Sequence, residues 1–365
     1  SMIKNIQYLR FLAAFLVILA HADLQIYGVP AQITNMGGFG VDIFFIISGF
    51  IMPFILFGGM YQPGATMKMS PGKFLMRRVI RIWPMYLFTI LAVAFISALI
   101  ISGIISNPSP TLYYFFNPTK LEPSWILETL TFTHWSRPPI LNIGWTLQYE
   151  FIFYTAIALV IFLKSKKLES LEISLFGIFL LFTIVNAATG NKYGFIKTVS
   201  SPIIFEFIMG VILYRTVSSG VFLSKPLSFL ILIAALPALV YTQLNIAINI
   251  DAQFYRLFIC GGSAFLIVWA ALSLEGVTKE IKFLGLLGDA SYSLYLMHGV
   301  VSPLFVFAWT KFGLENIVNV WLYMIFYTII CHIFGIFAHL KIEKPINKAL
   351  MNLTKKEKPC AQPSL

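Results

Sequence analysis

Residues 8–21 read YLRFLAAFLVILAH, an apolar run that holds one arginine near its start and ends on a histidine. Similar apolar runs recur along all 365 residues, of which 58% are hydrophobic and only 11% charged. A soluble domain carries about 25% charged residues, so this chain has more apolar surface than a water-soluble core of its size can hide. The lipid bilayer is the solvent that fits. Because backbone groups in lipid must be satisfied internally, the long apolar runs predict helices.

The hydropathy pattern predicts an all-α, polytopic membrane protein with about ten transmembrane helices. The predicted spans cover residues 5–24, 38–58, 80–103, 140–163, 171–187, 200–215, 227–242, 254–274, 290–309 and 318–340. The fifth to seventh spans are short or interrupted by proline or glycine. We expect one transmembrane domain over residues 1–345 and a short basic cytoplasmic tail over 346–365, because Pro345 should end the last helix.

The lysine and arginine residues are distributed unevenly between the predicted loops. If the N-terminus lies inside the cell, nineteen of the 26 Lys and Arg residues fall in cytoplasmic segments and five in outside loops. Cytoplasmic loops carry the excess of basic residues in membrane proteins, so the pattern predicts that both termini lie inside. This orientation accounts for the formal charge of +11, and we expect no nucleic-acid partner.

The run over residues 8–21 carries both of its ionisable residues on one side. Eleven residues at about 100° each return to within ~20° of the starting direction, so Arg10 and His21 share a helix face, about 16 Å apart along the axis. Ionisable groups are costly inside a bilayer and usually serve function. A histidine that titrates near neutrality is a suitable general base. The alternative is that Arg10 reaches the lipid headgroups and His21 only marks the helix end.

The second predicted span opens with GFGVDIFFIISGF, residues 38–50, and enters the bilayer from the outside. Asp42 would then lie at a depth similar to that of His21, and a carboxylate beside an imidazole fixes its tautomer and raises its basicity. Alternatively, Asp42 is a first-turn residue favoured by the helix dipole. Ser48 is a candidate for substrate contact, although the Ser48–Gly49 pair is also typical of close helix–helix contact.

A basic segment, KFLMRRVIRIWPMY over residues 73–86, precedes the third predicted span on the cytoplasmic side. Arg77 and Arg81 are four residues apart and Arg78 and Arg81 three apart, so these side chains can converge on one helix face. Arginine binds phosphate with paired hydrogen bonds. The segment, Lys73 included, is therefore a candidate binding site for a phosphate-rich molecule. The alternative is a positively charged cluster that contacts lipid phosphates.

Polar residues also interrupt the fourth and ninth predicted spans. The fourth begins WTLQYEFIFY at residues 145–154, and Glu150 must be paired or protonated at that depth. A structural role, such as holding Arg10 or another cation, is preferred over a catalytic one. In the ninth span, Tyr295 and His298 lie on one helix face, and a second intramembrane histidine is a candidate site member. Four further polar residues in apolar runs stay unassigned: Glu206, Arg256, His332 and His339.

Taken together, these motifs resemble the acyltransferase-3 family of bacterial membrane proteins, which includes O-antigen and exopolysaccharide acetylases. The matching motifs are the arginine and histidine of the first span, Phe-Phe-x-x-Ser-Gly-Phe at 44–50, Arg-x-x-Arg-Ile-x-Pro-x-Tyr at 78–86, Trp-x-Leu-x-x-Glu at 145–150 and Ser-Tyr-Ser-x-Tyr-Leu-x-His at 291–298. They occur in order and cover nearly the whole chain. We expect no fused esterase-like domain of the kind that many members carry.

The resemblance implies transfer of an acyl group, most often acetyl from acetyl-CoA, to a hydroxyl of a cell-surface or lipid-linked sugar at the bacterial inner membrane. The implied catalytic residues are His21 as general base, Asp42, Arg10 and Glu150. The residues implied for binding acetyl-CoA, or another acyl-CoA, are Lys73, Arg77, Arg78 and Arg81. Candidates for contact with substrate are Ser48, Trp145, Tyr295 and His298. This chemistry suits the residues, because a sugar hydroxyl is a poor nucleophile near neutral pH and needs a positioned base.

The principal alternative is a proton-coupled transporter or flippase for sugar-lipid or acyl cargo, with the intramembrane His, Glu and Arg as a proton relay. Such transporters often contain inverted repeats with broken helices at matched positions, and the sequence has no such symmetry. A non-catalytic scaffold would not account for the aligned Arg10–His21 face. Cys260, Cys331 and Cys360 have no metal-like or paired spacing, so we expect no metal. The expected partners are membrane lipid, acyl-CoA and the glycan acceptor, and the oligomeric state is left open.

Overall fold

The computed structural model describes residues 3–163, 166–246 and 253–356, and within these ranges every regular element is a helix. The all-α prediction is therefore confirmed. Lys164, which was counted among the cytoplasmic basic residues, and the predicted tail from residue 357 onward, Cys360 included, lie outside the described residues.

One helix corresponds to each of the ten predicted spans. They are α1 (Lys4–Ala20), α2 (Phe39–Leu56), α3 (Pro71–Ile101), α4 (Trp145–Phe162), α5 (Leu168–Ala188), α6 (Phe205–Ser218), α7 (Lys225–Ile246), α8 (Gly262–Ser273), α9 (Ser291–Lys311) and α10 (Val320–Ala338). In the described parts of the chain, eight helical segments are long and apolar enough to cross a membrane. Helix α8 is counted together with the helical turn Arg256–Gly261 that precedes it. The two helices that fall short are α1 with 17 residues and α6 with 14. The chain is thus a multi-pass membrane protein, while ten crossings, the inward termini and the single domain over 1–345 stay predictions.

Helix α2 lies at the centre of the bundle. Of its most apolar 18 residues 78% are buried, against 17% in α5 and 6% in α7, which therefore lie at the periphery. The backbones of α2 and α6 touch: a Cβ added to Gly49 would lie 2.0 Å from the Phe207 carbonyl oxygen. A Cβ on Gly210 would lie 2.3 Å from the Ile46 carbonyl oxygen. The sequence pair Ser48–Gly49 was interpreted as typical of close helix–helix contact, and this interpretation is confirmed.

Helix α1 is held inside the bundle by the same kind of contact. A Cβ on Gly40, at the start of α2, would lie 2.2 Å from the Ala13 carbonyl oxygen of α1. A Cβ on Gly37 would lie equally close, 2.2 Å from the Leu16 carbonyl oxygen. Because only glycine allows this approach, α1 is fixed against α2, with Arg10 midway along it and His21 just after its last residue.

Two π turns extend the helices near the end of the chain. Residues Arg256–Gly261 precede α8, and His339–Glu343 join α10 to a further helix, Lys344–Lys356. The expectation that Pro345 ends the last helix is wrong. The Lys344 amide bonds to the His339 carbonyl across the π turn. Pro345 then stands in the first turn of a new helical segment, where its missing amide proton is not needed.

Candidate active site

A cavity of about 880 Å³ opens at the end of α1, between α4 and α9. We call it the histidine cavity. Its polar lining residues are His21, Asp23, Gln25, Thr111, Asn142, His298 and Ser302. Hydroxyl, amide and carboxylate groups among apolar lining residues make this a pocket suited to a hydroxyl-rich molecule.

His21 and His298 meet in this cavity. The Nδ1 atom of His21 lies 2.9 Å from the Val17 carbonyl oxygen and 3.1 Å from Nε2 of His298. A carbonyl oxygen only accepts hydrogen bonds, so the Val17 contact assigns a proton to Nδ1 of His21. Its Nε2 atom is then the unprotonated nitrogen. A basic nitrogen on an imidazole accessible from the cavity can take a proton from a bound hydroxyl group.

The expected pairing of Asp42 with His21 is wrong. The Arg256 side chain takes both carboxylate oxygens of Asp42, with Nε at 3.1 Å from Oδ1 and Nη2 at 3.0 Å from Oδ2. Arg256 also donates to the Gly38 carbonyl oxygen at 3.1 Å. A permanently charged, forked guanidinium satisfies a buried carboxylate better than an imidazole does. The Val17 carbonyl stands where the carboxylate was expected.

Trp145 belongs to the surroundings of this ion pair. The guanidinium of Arg256 lies 5.8 Å from the centre of the Trp145 ring, within the range of a cation–π contact. The ring of Phe45 approaches it edge-on, with ring centres 6.4 Å apart. Trp145 is absent from the described lining of the histidine cavity and from that of the arginine cavity, so the structure does not bring this predicted substrate residue to either.

A second cavity, of about 790 Å³, lies among α1, α2, α3, α4 and α9. We call it the arginine cavity, because Arg10, Arg78 and Arg81 line it together with Ser48, Glu150, Tyr154 and Tyr295. The three arginines come from α1 and α3. The predicted companions Lys73 and Arg77 are not among the described lining residues. Arg77 lies about 100° around the helix axis from Arg78, the adjacent residue that does line the cavity.

The arginine cavity fits an anionic ligand. Three arginines line it against one glutamate. The Nε atom of Arg78 is buried and has no hydrogen-bond partner among the described residues. A buried, unpaired guanidinium donor is costly, and an anionic oxygen bound in the cavity would satisfy it. Phosphate groups supply such oxygens.

Glu150 accepts a hydrogen bond from the Ser48 hydroxyl at 2.7 Å. Among the described residues it makes no ion pair with Arg10, whose Nη1 atom instead donates to Gln7 at 3.3 Å. Glu150 and Arg10 therefore form no direct ion pair among the described residues, and the preference for a structural over a catalytic role of Glu150 stays a prediction. The partner of the carboxylate is the Ser48 hydroxyl of α2, and both residues line the arginine cavity.

Sequence reasoning missed Glu343 and Asp23. Glu343 is fully buried and bonds to Arg81 at 2.8 Å, to His339 at 3.2 Å and to the Ser293 hydroxyl. It follows the last predicted span, 318–340, in the charged run KIEK, so the hydropathy pattern did not indicate its burial. Asp23 lines the histidine cavity with a left-handed backbone, φ 51°. Non-glycine residues in this conformation concentrate at functional sites, but only its place two residues after His21 pointed to it.

The segment between α3 and α4 covers the histidine cavity with one short helix, Pro110–Phe115, and a second, Pro123–Leu130, follows it outside the described lining. The Lys120 ammonium donates to the Ile140 carbonyl oxygen at 3.0 Å and lies 4.6 Å from the centre of the Trp125 ring. Burial disfavours the charged form and lowers the pKa of Lys120 to about 8. Lys120 thus holds the segment between α3 and α4 against Ile140, which lines the histidine cavity.

Comparison with known proteins agrees with this arrangement. A family profile described as an acyltransferase domain, of the acyltransferase-3 type, matches residues 3–339. The chain is 29% identical over 331 residues to the exopolysaccharide production protein ExoZ of Rhizobium meliloti (strain 1021), covering 86% of this chain and 90% of that protein. No solved structure matches. Since the profile spans nearly the whole chain and both cavities, the protein belongs to the acyltransferase-3 family and is a membrane acyltransferase.

Proposed function

We propose that this protein transfers an acetyl group from acetyl-CoA to a hydroxyl of an exopolysaccharide or of its lipid-linked precursor, with His21 as the general base. The observation that carries the proposal is the His21 imidazole, whose Nδ1 is held by the Val17 carbonyl oxygen, so that Nε2 keeps its free lone pair in a cavity that polar side chains line together with apolar ones. The relative ExoZ, by its printed name, acts in exopolysaccharide production, which favours a polysaccharide acceptor.

The transfer begins when the acceptor hydroxyl gives its proton to Nε2 of His21. The hydroxyl oxygen attacks the thioester carbonyl carbon, a C–O bond forms and the C–S bond breaks. The thiolate then recovers the proton from His21, so that an ester and a free thiol leave. While His21 is cationic, its Nδ1 proton is stabilised by the Val17 oxygen and by the neutral Nε2 of His298, 3.1 Å away.

The arginine cavity is the proposed donor side, and it faces the cytoplasm. Two observations support the assignment of the donor to this cavity: the unpaired Nε of Arg78 and the excess of arginine over glutamate in the lining. The charge distribution of the loops favours the same direction, because Arg78 and Arg81 begin the third span on the side rich in lysine and arginine. The acceptor would reach the histidine cavity from the opposite side, so that the acyl group alone crosses.

Replacing His21 by alanine is expected to abolish O-acetylation of the exopolysaccharide, because the imidazole nitrogen that takes the hydroxyl proton in the proposed transfer is removed. Mass spectrometry of the secreted glycan measures it. His332→Ala is the matched control, since His332 is an intramembrane histidine that packs on Phe11 and Phe15, outside both cavities. Undiminished acetylation in a stably inserted His21→Ala protein would refute the assignment.

Replacing Arg78 by alanine is expected to weaken acetyl-CoA binding. A hydrogen bond to a charged group contributes about 1.5–3 kcal/mol, which corresponds to a loss of about tenfold to hundredfold in affinity. Isothermal titration of the purified protein with acetyl-CoA measures it. Arg77→Ala, one residue away and outside the described cavity lining, serves as comparison and should bind normally. Equal affinities in the two variants would contradict the donor site.

A further inference from the structure

The histidine and arginine cavities lie back to back, and the described lining residues of the one do not include any of the other. Ile143 lines the histidine cavity, whereas Thr146, one turn later on α4, lines the arginine cavity. On α9, His298 lines the histidine cavity and Tyr295, three residues earlier, lines the arginine cavity. The partition between the two spaces is therefore about one helical turn thick.

Tyr295 closes this partition. Its hydroxyl lies 2.8 Å from the Ile143 carbonyl oxygen and 2.8 Å from the Thr146 hydroxyl, so it joins α9 to the first turn of α4. Its ring packs edge-on against Phe44, with ring centres 5.9 Å apart, and lies 5.6 Å from the ring of His298. The side chain is 5% exposed. One buried side chain with two hydrogen bonds thus separates the arginines from the histidine pair.

This partition matters for the chemistry. A thioester bound beside the arginines cannot reach Nε2 of His21 while the Tyr295 side chain stays in place. Water that enters the histidine cavity is likewise kept from the thioester. Exclusion of water is a general means by which enzymes prevent hydrolysis of reactive groups, and displacement of the Tyr295 side chain would open the passage.

Resting on the proposed function, we propose that Tyr295 is a specificity-determining residue that selects acyl transfer over thioester hydrolysis by separating the two cavities. Without its side chain, a water molecule gives a proton to His21 and its oxygen attacks the thioester carbon. The C–S bond breaks, the thiolate takes the proton, and acetate and free CoA leave. With Tyr295 present, this hydrolysis occurs only while its side chain is displaced.

The partition itself is tested by thiol labelling, which does not depend on activity. In a cysteine-free background, Ser291→Cys places a thiol in the arginine cavity and Thr111→Cys places one in the histidine cavity. Spheroplasts are treated with the impermeant anion sulfonatoethyl methanethiosulfonate. Thr111→Cys should react in every background, and Ser291→Cys only when Tyr295→Ala is also present. Labelling of Ser291→Cys with Tyr295 intact, or none in the double variant, would overturn the partition.

The selection is tested by release of free CoA from acetyl-CoA, measured with a thiol reagent on the purified protein without acceptor. Tyr295→Ala should hydrolyse acetyl-CoA at least tenfold faster than the unsubstituted protein, and His21→Ala added to it should remove the gain. Tyr214→Ala is the matched control, because Tyr214 is an equally buried tyrosine that donates to the Gly59 carbonyl outside both cavities. It should show no gain.

The outcomes separate the two proposals. If the unsubstituted protein neither binds acetyl-CoA nor acetylates glycan, the proposed function fails, whatever the labelling shows. If it acetylates glycan but Tyr295→Ala gains no hydrolysis, the role of Tyr295 in selecting transfer fails while the proposed function stands. Equal gains in Tyr295→Ala and Tyr214→Ala would attribute the hydrolysis to loosened packing, which also overturns the inference.

Discussion

Arg81 owes its place in the arginine cavity to Glu343, a residue 262 positions later in the chain. The carboxylate is fully buried, and the arginine, His339 and the Ser293 hydroxyl surround it. A buried charge whose partner is removed is strongly destabilising, by about 3–5 kcal/mol. The pair therefore persists only as a unit, and it fixes the direction in which the guanidinium of Arg81 points.

Glu343→Gln is expected to raise the KM for acetyl-CoA several-fold with a smaller change in kcat, because Arg81 loses the charge that positions it for the donor. Steady-state kinetics at varied acetyl-CoA measures both constants. Glu280→Gln, at an exposed glutamate, is the control. A lower melting temperature with an unchanged KM would make Glu343 purely structural.

Single residues were easier to find from the sequence than their partners were. Arg10, His21, Arg78 and His298 stood out because charge is expensive in lipid. The partner of Asp42 was misassigned because hydropathy gives the depth of a residue but not the side of the helix that meets a neighbour. Arg256, which pairs with Asp42, begins a π turn. The hydropathy pattern of the sequence does not predict such a turn.

At the scale of elements, the contact between α2 and α6 depends on Gly49. Gly49→Ala would place a methyl group 2.0 Å from the Phe207 carbonyl oxygen, so the two helices must separate. Overpacking of this kind costs about 1–3 kcal/mol, and we expect a clearly lower melting temperature in detergent.

Gly177→Ala provides the comparison for this prediction. It lies in the interior of α5, where an added Cβ meets nothing within 4 Å. An alanine there should leave stability unchanged or raise it by about 0.5–1 kcal/mol. Equal melting temperatures for the two variants would show that the α2–α6 contact can relax.

The ten helices were predictable, whereas the two π turns were not. Apolar length and frequency mark a span, but a π turn depends on one extra residue in a continuous helix. Each turn brings a charged residue to its ionic partner: Arg256 to Asp42, and Glu343 to Arg81. The proline at 345 misled because the rule for helix interiors does not apply in the first turn after such a bulge.

At the scale of the whole molecule, the inward orientation of the termini predicts which loops face the cytoplasm. In a cysteine-free background, Thr119→Cys should react with an impermeant maleimide on intact spheroplasts, and Lys167→Cys only after lysis. Both positions are exposed, whereas Lys120 beside the first is buried and unsuitable. The opposite labelling pattern would reverse the proposed direction of transfer.

The group that orients His21 belongs to the main chain. Since the Val17 carbonyl is part of every residue that can occupy position 17, substitution there cannot delete it, and the tautomer of His21 follows from the helical path of α1. Inactivating point mutations should therefore recur at His21 itself and remain rare at position 17 among residues of similar size. The tautomer of the proposed base therefore does not depend on which side chain occupies position 17.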